Sequence, residues 1–307
     1  MVWNQYKSEL NSAWNDVQTQ SGLRARWDAA CRGNTGIECF DAWADELVTT
    51  GYLHNHARMW FASIWIFSLK LPWQLGADFL LRHLLDGDPA SNTLGWRWVA
   101  GVQTKGKTYL AQASNITKYT QGRFHPKHHL ADEALPVSSA EAPKPRVLPT
   151  TDRVQRGLRT GLLLHEDDLA VSWITQDLKP DATIVLAPQT QVGPLCSAPR
   201  VSTFRSAAQN DAISRYGERL GDISHAQTAQ DVLDNAATHG LGQLVTVYVP
   251  TGPVSDVLAK LESTCQDVPL RRVLSRYDAL SWHYATKGFF AFKKQIPHFL
   301  NSIVRSL

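Results

Sequence analysis

The sequence predicts two fold classes in one chain: an all-helical domain followed by a doubly wound parallel α/β domain, an α + α/β protein. Its 307 residues are about twice the length of a typical domain. Apolar residues recur at helical spacing through residues 1–124. Beyond residue 157, short apolar runs alternate with helical patterns, which is typical of a parallel sheet covered by helices.

Five helices are expected in the first domain, residues 1–124. The third is apolar nearly all round and should be buried. Pro72 opens the fourth, and the fifth begins at Asp88-Pro89, an N-cap acceptor followed by proline at the first helical position. The expected helices are Trp3–Gln18, Phe40–Val48, Leu53–Leu69, Trp73–Leu85 and the one that begins at Asp88-Pro89, and irregular sequence follows up to Phe124.

A proline-rich linker, residues 125–156, leads to the second domain, residues 157–307, because it contains five prolines and no hydrophobic periodicity. The expected strands are Gly161–His165, Thr183–Ala187 and Leu244–Val249, and the helices are Phe204–Leu220, Thr228–His239 and Val254–Cys265. The segment His165–Glu166–Asp167–Asp168 follows the first strand, where such sheets place ligands. A solvated acidic loop is the alternative interpretation.

Composition excludes several classes of protein. Charged residues make up 19% of the chain and hydrophobic ones 43%, which excludes wholesale disorder. The longest apolar run, Met59–Leu69, is too short to span a bilayer, and no signal peptide opens the sequence. The four cysteines have no paired spacing, so we expect a reduced, cytoplasmic protein without a cysteine metal site. The net charge of +3 is too small to demonstrate a polyanionic partner.

Tryptophan is concentrated in the first domain. Nine of the 11 tryptophans precede residue 100. Filling of a core with large rings explains any one of them. Nine together raise the hypothesis that some of them serve a chromophore.

Two predicted helices carry polar residues where a core should be. Asn55 and Arg58 share one face of the third helix with Met59, and unpaired buried polar groups cost ~1–3 kcal/mol each. A structural salt bridge to Asp86 would satisfy Arg58. The alternative is a planar heteroaromatic ligand whose charge Arg58 neutralises.

The fifth helix carries a stripe of Asp88, Asn92 and Trp96, each four residues after the last. The structural interpretation is that Asp88 caps the helix, Asn92 is a solvated amide and Trp96 is a core residue. The functional alternative is a ring ligand that is hydrogen-bonded by Asp and Asn, with Trp in electron-transfer contact.

These segments resemble the FAD-binding domain of the photolyase/cryptochrome family. The resemblance is carried by Gly51–Met59 (GYLHNHARM) and Leu85–Trp98 (LDGDPASNTLGWRW). Upstream, Gly33–Ile37 and Phe40–Ala42 look like the G-x-T-G-x-x-x-x-D-A segment of that family. The resemblance covers about residues 25–124.

The resemblance implies a helical domain that binds U-shaped FAD. The residues expected to bind the cofactor are Asn55, Arg58, Asp86, Asp88 and Asn92. Asn92 would face the flavin N5, and Asp86 would lie at the N3/O2 edge with Arg58 beside the ring. Asp88 would bind toward the ribityl–adenine side.

The resemblance also implies an electron path and a substrate-facing wall. Trp96 would be the electron donor nearest to the flavin, and Trp73 the next in the chain. The residues expected to face a lesion in DNA are Asn55, His56, Met59 and Trp98. Histidines stand at the Asn55 and Met59 positions in (6-4) enzymes, so the chain resembles cyclobutane-dimer photolyases more closely.

The implied activity is blue-light-driven electron transfer from FAD that repairs cyclobutane pyrimidine dimers in DNA, a lyase reaction. A cryptochrome-like photoreceptor that signals through a protein partner, and a flavin-free remnant, are the alternatives. The joint match of Asn55, Met59 and Trp98 favours the photolyase-like alternative. A basic segment after the flavin motif would contact DNA phosphates, or it is a solvated linker. It contains Lys105, Lys107, Lys118, Arg123, His125, Lys127, His128 and His129.

Two departures from the family pattern lead to further expectations. Residue 1 falls after the family's T-S-x-L-S-type segment, which cradles the FAD phosphates, so we expect this chain alone to bind FAD weakly. The second domain ends in Ala285–Gly288 and Phe292–Pro297, which resemble the end of the family's antenna domain. A relocated antenna-like domain and a chance similarity between doubly wound sheets are both consistent with this ending.

Overall fold

The computed structural model describes residues 2–138, 147–188, 193–264, 267–286 and 288–304. The chain forms two compact units, called here the helical unit (residues 1–143 and 190–205) and the α/β unit (residues 144–189 and 206–307). The expected α + α/β class is confirmed. Residues 190–205 group with the helical unit, although the sequence pattern assigned them to the second domain.

The described part of the helical unit contains the five expected helices and two further ones that were not expected. Its helices are α1 (Val2–Thr19), α2 (Ser21–Cys31), α3 (Glu38–Thr50), α4 (Asn55–Ser63), α5 (Trp73–His83), α6 (Pro89–Val99) and α7 (Ala113–Tyr119). A π-helical segment, Ile64–Ser68, continues α4. The expectation of irregular sequence up to Phe124 was wrong at α7. This helix has seven residues and buries only Ile116, too little for a periodic signal.

The glycine-rich segment between α2 and α3 has a structural role. The Asp41 carboxylate accepts hydrogen bonds from the backbone N–H of Thr35 at 2.9 Å and of Gly36 at 2.9 Å. The Thr35 hydroxyl also donates to it, at 2.7 Å. Asp41 therefore closes the turn that delivers the chain into α3.

Aromatic rings fill the core of the helical unit. Phe40 stacks on Phe61 with centroids 4.2 Å apart, and Phe61 also contacts Trp65 and Phe79. Six of the nine early tryptophans are buried, and Trp98 is exposed. Core filling thus accounts for most of the tryptophan content.

Helices α5 and α6 approach closely because of Gly76. A Cβ at that position would overlap the Trp96 indole and meet Trp65 Cδ1 at 3.0 Å. The indole of Trp96 therefore occupies the space that a side chain of α5 would otherwise fill, and this packing fixes one wall of the site described below.

The α/β unit contains a parallel five-stranded sheet. Its strands are β1 (Thr160–His165), β2 (Ala182–Leu186), β3 (Asp222–Ala226), β4 (Gln243–Val247) and β5 (Leu270–Val273), in the spatial order β3-β2-β1-β4-β5. In the central register Leu163 lies opposite Ile184 on β2 and Thr246 on β4. The edge strands β3 and β5 are not predicted by the sequence, because most of their residues are only partly buried and form no apolar run.

Helices cover both faces of this sheet, as expected for a doubly wound fold. They are α8 (Ile174–Asp177), α9 (Pro199–Tyr216), α10 (Ala229–Thr238) and α11 (Pro253–Thr264). Leu163 and Ile184 point toward α10 and α11, whereas Leu162 and Val185 pack with Ile213 on the opposite face. The chain ends in α12 (Arg276–Ser281), α13 (Phe289–Lys293) and α14 (Ile296–Val304). Among the described residues, none of these helices combines the length and apolarity needed to cross a bilayer.

Candidate functional site

A cavity of about 400 Å³ lies in the helical unit between α4, the end of α5 and one side of α6 along its whole length. Its volume is within the range of small-molecule sites, about 300–1,000 Å³. Most of the residues singled out from the sequence line it: Asn55, Arg58, Met59, Asp86, Asp88, Asn92, Trp96 and Trp98. His56 and Trp73 are not part of the lining.

Arg58 and Asp86 form the charged side of the cavity. The Arg58 Nη2 donates to both Asp86 oxygens at 2.9 Å, and Nε donates to the Leu53 carbonyl at 2.7 Å. The expected ion pair is confirmed. The need to pair buried charges does not explain this ion pair, since the Asp86 side chain is 57% exposed. The pair lies at the cavity mouth, where both charges can also reach a ligand.

The stripe along α6 divides into a cap, an amide and a ring. Asp88 is the N-cap of α6, and its Oδ1 accepts from the Ser91 N–H at 2.7 Å and from the Ser91 hydroxyl at 2.6 Å. The Asn92 Nδ2 donates to the Ala77 carbonyl on α5 at 2.8 Å. This bond orients the amide, so that the Asn92 Oδ1 is the acceptor available to a ligand in the cavity.

Trp96 forms an indole wall of the cavity and is only 3% exposed. Its ring contacts Trp65 at a centroid distance of 6.2 Å and Phe61 at 6.5 Å, both edge to face. The Trp65 Nε1 donates to the Pro72 carbonyl at 2.9 Å. The tryptophan packed directly against Trp96 is therefore Trp65, a residue that the sequence reasoning did not select.

Trp73 is buried one helical turn before Gly76, the residue whose backbone touches the Trp96 ring. Its ring contacts Tyr6 at a centroid distance of 5.7 Å, and its Nε1 has no hydrogen-bond partner among the described residues. The close approach of Trp73 to Trp96 stays a prediction. Its location on the same helix as Gly76 is consistent with it.

The open side of the cavity is aromatic. Trp98 is 39% exposed and stacks on Tyr109, with ring centroids 5.3 Å apart. His56 lies outside the cavity, where its imidazole stacks on Trp60 and Tyr119. Tyr109 and Tyr119 lie in segments where no motif was recognised, so the sequence offered no signal for either ring.

Apolar residues form the floor of the cavity, and sequence reasoning did not assign them to it. They are Ala62, Leu80, Leu84 and Val99. Leu80 and Leu84 are four residues apart, so they lie on the same side of the chain at the end of α5. That spacing marks an apolar face, but it does not distinguish a cavity floor from ordinary core.

In the α/β unit, the acidic segment after β1 is largely engaged with the protein itself. His165 is 1% exposed, and its Nε2 lies 3.3 Å from the Val247 carbonyl. Burial lowers the pKa of His165 to about 4. The Asp168 carboxylate accepts from the Ala170 N–H at 2.9 Å. Within the described parts of both units, no group of three or more metal-ligating side chains comes together.

Comparisons with known proteins concern the first part of the chain. Residues 1–139 match the family model described as the FAD binding domain of DNA photolyase. The resemblance to the photolyase family is thereby confirmed for this segment, and the cofactor that the family model indicates is FAD.

Several curated relatives carry the name deoxyribodipyrimidine photo-lyase. The protein from Vibrio cholerae is 31% identical over 146 residues, 46% of this chain and 29% of that protein. The Escherichia coli protein is 39% identical over 99 residues, 32% of this chain and 21% of that protein. The Synechococcus protein is 31% identical over 152 residues, 44% of this chain and 31% of that protein. The chain thus spans a third or less of these relatives, and no solved structure matches it.

Proposed function

We propose that residues 1–139 bind the flavin of FAD in the cavity between α4 and α6, and that the protein uses it for light-driven electron transfer to a pyrimidine dimer in DNA. The observation that carries this proposal is the donor set around one cavity: the Arg58–Asp86 pair, the Asn92 amide and the Trp96 indole. The match of the same residues to the FAD binding domain of DNA photolyase supports it.

The chemistry of the lining fits a flavin ring. An isoalloxazine has an edge of alternating carbonyl acceptors and N–H donors and two apolar faces. Arg58 offers N–H donors and Asp86 offers carboxylate acceptors at the mouth, while Leu80 and Leu84 offer an apolar surface inside. Such a combination of a few polar groups with apolar walls is what orients a bound ring.

Asn92 has a defined part in this arrangement. Because its Nδ2 is committed to the Ala77 carbonyl, its Oδ1 presents an acceptor to the cavity. An acceptor favours a protonated ring nitrogen, so Asn92 would stabilise a flavin that carries a proton at N5. When bound, FAD supplies one-electron chemistry that light drives.

Trp96 is the group placed to deliver an electron from the protein. Its indole borders the cavity and is in ring contact with Trp65 behind it. A chain of indoles would relay an electron from an external reductant to a bound flavin, so that the reductant itself need not enter the cavity. Trp73 is the next member in our proposal.

DNA is the proposed substrate, and the cavity mouth is where a flipped-out dimer would be received. Base-flipping enzymes, photolyases among them, take the target base into a pocket and stack it against aromatic or apolar side chains. Met59 and Asn55 line the mouth, and the Trp98–Tyr109 stack offers such a platform. Lysines and histidines of residues 105–129 are exposed and would contact phosphates.

The four cysteines without paired spacing favour a reduced, cytoplasmic location.

The cofactor part is tested by titrating the purified full chain with FAD and following the flavin fluorescence. Arg58→Gln should weaken binding by about 10-fold or more, because a hydrogen bond from a charged group contributes about 1.5–3 kcal/mol. The matched control is Arg32→Gln, which removes an exposed Arg–Asp pair of the same unit. Equal FAD affinity in both variants would remove Arg58 from the site.

The electron path is tested by illuminating the FAD-loaded protein. Trp96→Phe should abolish flavin photoreduction while FAD affinity changes little, because phenylalanine preserves the packing but is much harder to oxidise. Trp43→Phe is the control, since Trp43 is also buried but does not line the cavity. Undiminished photoreduction in Trp96→Phe would exclude this path.

Repair is tested on the same sample with an oligonucleotide that contains a cyclobutane pyrimidine dimer, under blue light. Loss of the dimer supports the lyase function. Photoreduction without repair would indicate a cryptochrome-like photoreceptor that signals through a protein partner. Absence of flavin binding would indicate a flavin-free remnant of the family.

A further inference from the structure

Helix α13 of the α/β unit exposes two neighbouring aromatic rings. Phe289 is 64% exposed and Phe290 is 81% exposed, and Phe290 has the highest exposure of any large aromatic side chain in the described part of the chain. Lys293 and Lys294 follow one turn later and are exposed as well. These four residues are called here the Phe/Lys patch.

The spacing places each lysine beside a ring. Residues four apart lie on the same helix face, so Phe289 neighbours Lys293, and Phe290 neighbours Lys294. The two rings contact each other at a centroid distance of 5.6 Å with an interplanar angle of 67°. Their outer faces therefore point in different directions, and each has a cation nearby.

The patch is held in place from its inner side. Phe292 turns the other way and contacts Phe299 of α14 at a centroid distance of 5.5 Å. Phe299 is 1% exposed and is also in contact with Tyr277 and Tyr284. The contact of Phe292 with Phe299 thus anchors α13, while Phe289 and Phe290 stay exposed.

The end of the sequence that carries the patch is basic. Residues 279–307 contain four lysines and arginines and no aspartate or glutamate, a charge of +4. Since the whole chain carries +3, the preceding 278 residues carry −1. A polyanion is the partner that this charge distribution complements.

We propose that the Phe/Lys patch is a docking site for single-stranded nucleic acid. Unpaired bases stack on Phe289 and Phe290, and Lys293 and Lys294 contact the adjoining phosphates. Aromatic platforms beside cations are the arrangement with which proteins hold single strands without reading their sequence. The site uses no residue of the flavin cavity and requires no light.

An anionic membrane is the competing polyanion, and the packing favours the nucleic acid. Binding of a helix to a lipid interface grows with the apolar area that the helix can insert. Phe292 of α13 and Phe299 of α14 pack against each other, so these two rings are not available to lipid. Two outward rings suffice to stack bases, but they provide little area for lipid.

The proposal is tested with the full chain, in the dark, by fluorescence anisotropy of a labelled oligothymidylate. The double variant Phe289→Ala with Phe290→Ala should bind at least about fivefold more weakly, because one stacked base contributes about 1–3 kcal/mol. Replacing both rings with tyrosine should retain affinity, since tyrosine preserves the aromatic face. The control is Phe204→Ala, which removes an exposed ring on α9.

Salt dependence tests the lysines separately. In a plot of the logarithm of the single-strand binding constant against the logarithm of the salt concentration, each neutralised phosphate adds about 0.7 to the slope. The double variant Lys293→Gln with Lys294→Gln should therefore lower that slope by about 1.4. Lys260→Gln on α11 is the control. Unchanged oligothymidylate affinity in the alanine variant overturns the proposal. The proposal is also overturned if the protein binds vesicles of phosphatidylserine and does not bind oligothymidylate.

Discussion

Replacing Gly76 with alanine should destabilise the helical unit, although alanine is the better helix former. The added Cβ would lie 2.5 Å from Trp96 Cζ3 and 3.0 Å from Trp65 Cδ1, and it would overlap Trp96 Cη2. Neither indole can easily retreat. The Trp65 Nε1 is bonded to the Pro72 carbonyl at 2.9 Å, and Trp96 packs against Phe61.

The magnitude follows from two opposing terms. Overpacking a rigid core costs about 1–3 kcal/mol, and we expect the upper part of this range because both neighbours are rings. Removing glycine from a helix interior contributes about 1 kcal/mol in the other direction. The free energy of unfolding should therefore fall by about 2 kcal/mol.

Gly95 provides the matched control. It lies within α6, and a Cβ there would meet nothing within 4 Å. Gly95→Ala should raise the free energy of unfolding by about 1 kcal/mol, so the two variants should differ by about 3 kcal/mol. Urea unfolding followed by tryptophan fluorescence measures this difference, because nine of the 11 tryptophans belong to the helical unit. A Gly76→Ala protein as stable as Gly95→Ala would refute the close packing of α5 on Trp96.

Two further predictions concern buried charge and pH. Asp78→Ala should lower the free energy of unfolding by about 3 kcal/mol, because it leaves Arg82, 13% exposed, without its carboxylate at 2.7 Å. The control Asp211→Ala breaks an ion pair to Arg215 that has the same length and spacing but lies at the surface. Urea titration should show that it lowers the free energy of unfolding by less than about 1 kcal/mol. Equal losses in the two variants would contradict the role of burial. Burial holds the pKa of His165 at about 4, against 6.5 in an unfolded chain, so the unfolded state binds the proton more tightly. Stability of the α/β unit should be full above pH 6.5 and fall by up to about 3 kcal/mol toward pH 4. In thermal melts followed by circular dichroism, the stability of His165→Gln should depend less on pH than that of the unmodified protein. An identical pH dependence would contradict the role given to His165.

Periodicity and capping were sufficient to predict most of the long elements. Helix α2 was missed, because it buries only Leu23 and Ala30 and so shows little hydrophobic periodicity. The start of α6 was predictable because Asp88 and Pro89 satisfy the helix N-terminus locally, and the three central strands because each is a continuous apolar run. The helix α7 and the edge strands β3 and β5 were not predictable, because each buries too little apolar surface to impose a period on its sequence.

The sequence by itself determined which residues we propose for the candidate site, because the motif fixes residue type and spacing along two helices. Only the tertiary structure decided how those residues are used. The Ala77 carbonyl on α5 orients Asn92, and Gly76 on α5 leaves space for the Trp96 ring. The ring behind Trp96 is Trp65, from the π-helical segment that follows α4. These relations join segments far apart in the chain. They depend on packing distances between helices, which no local pattern of residues encodes.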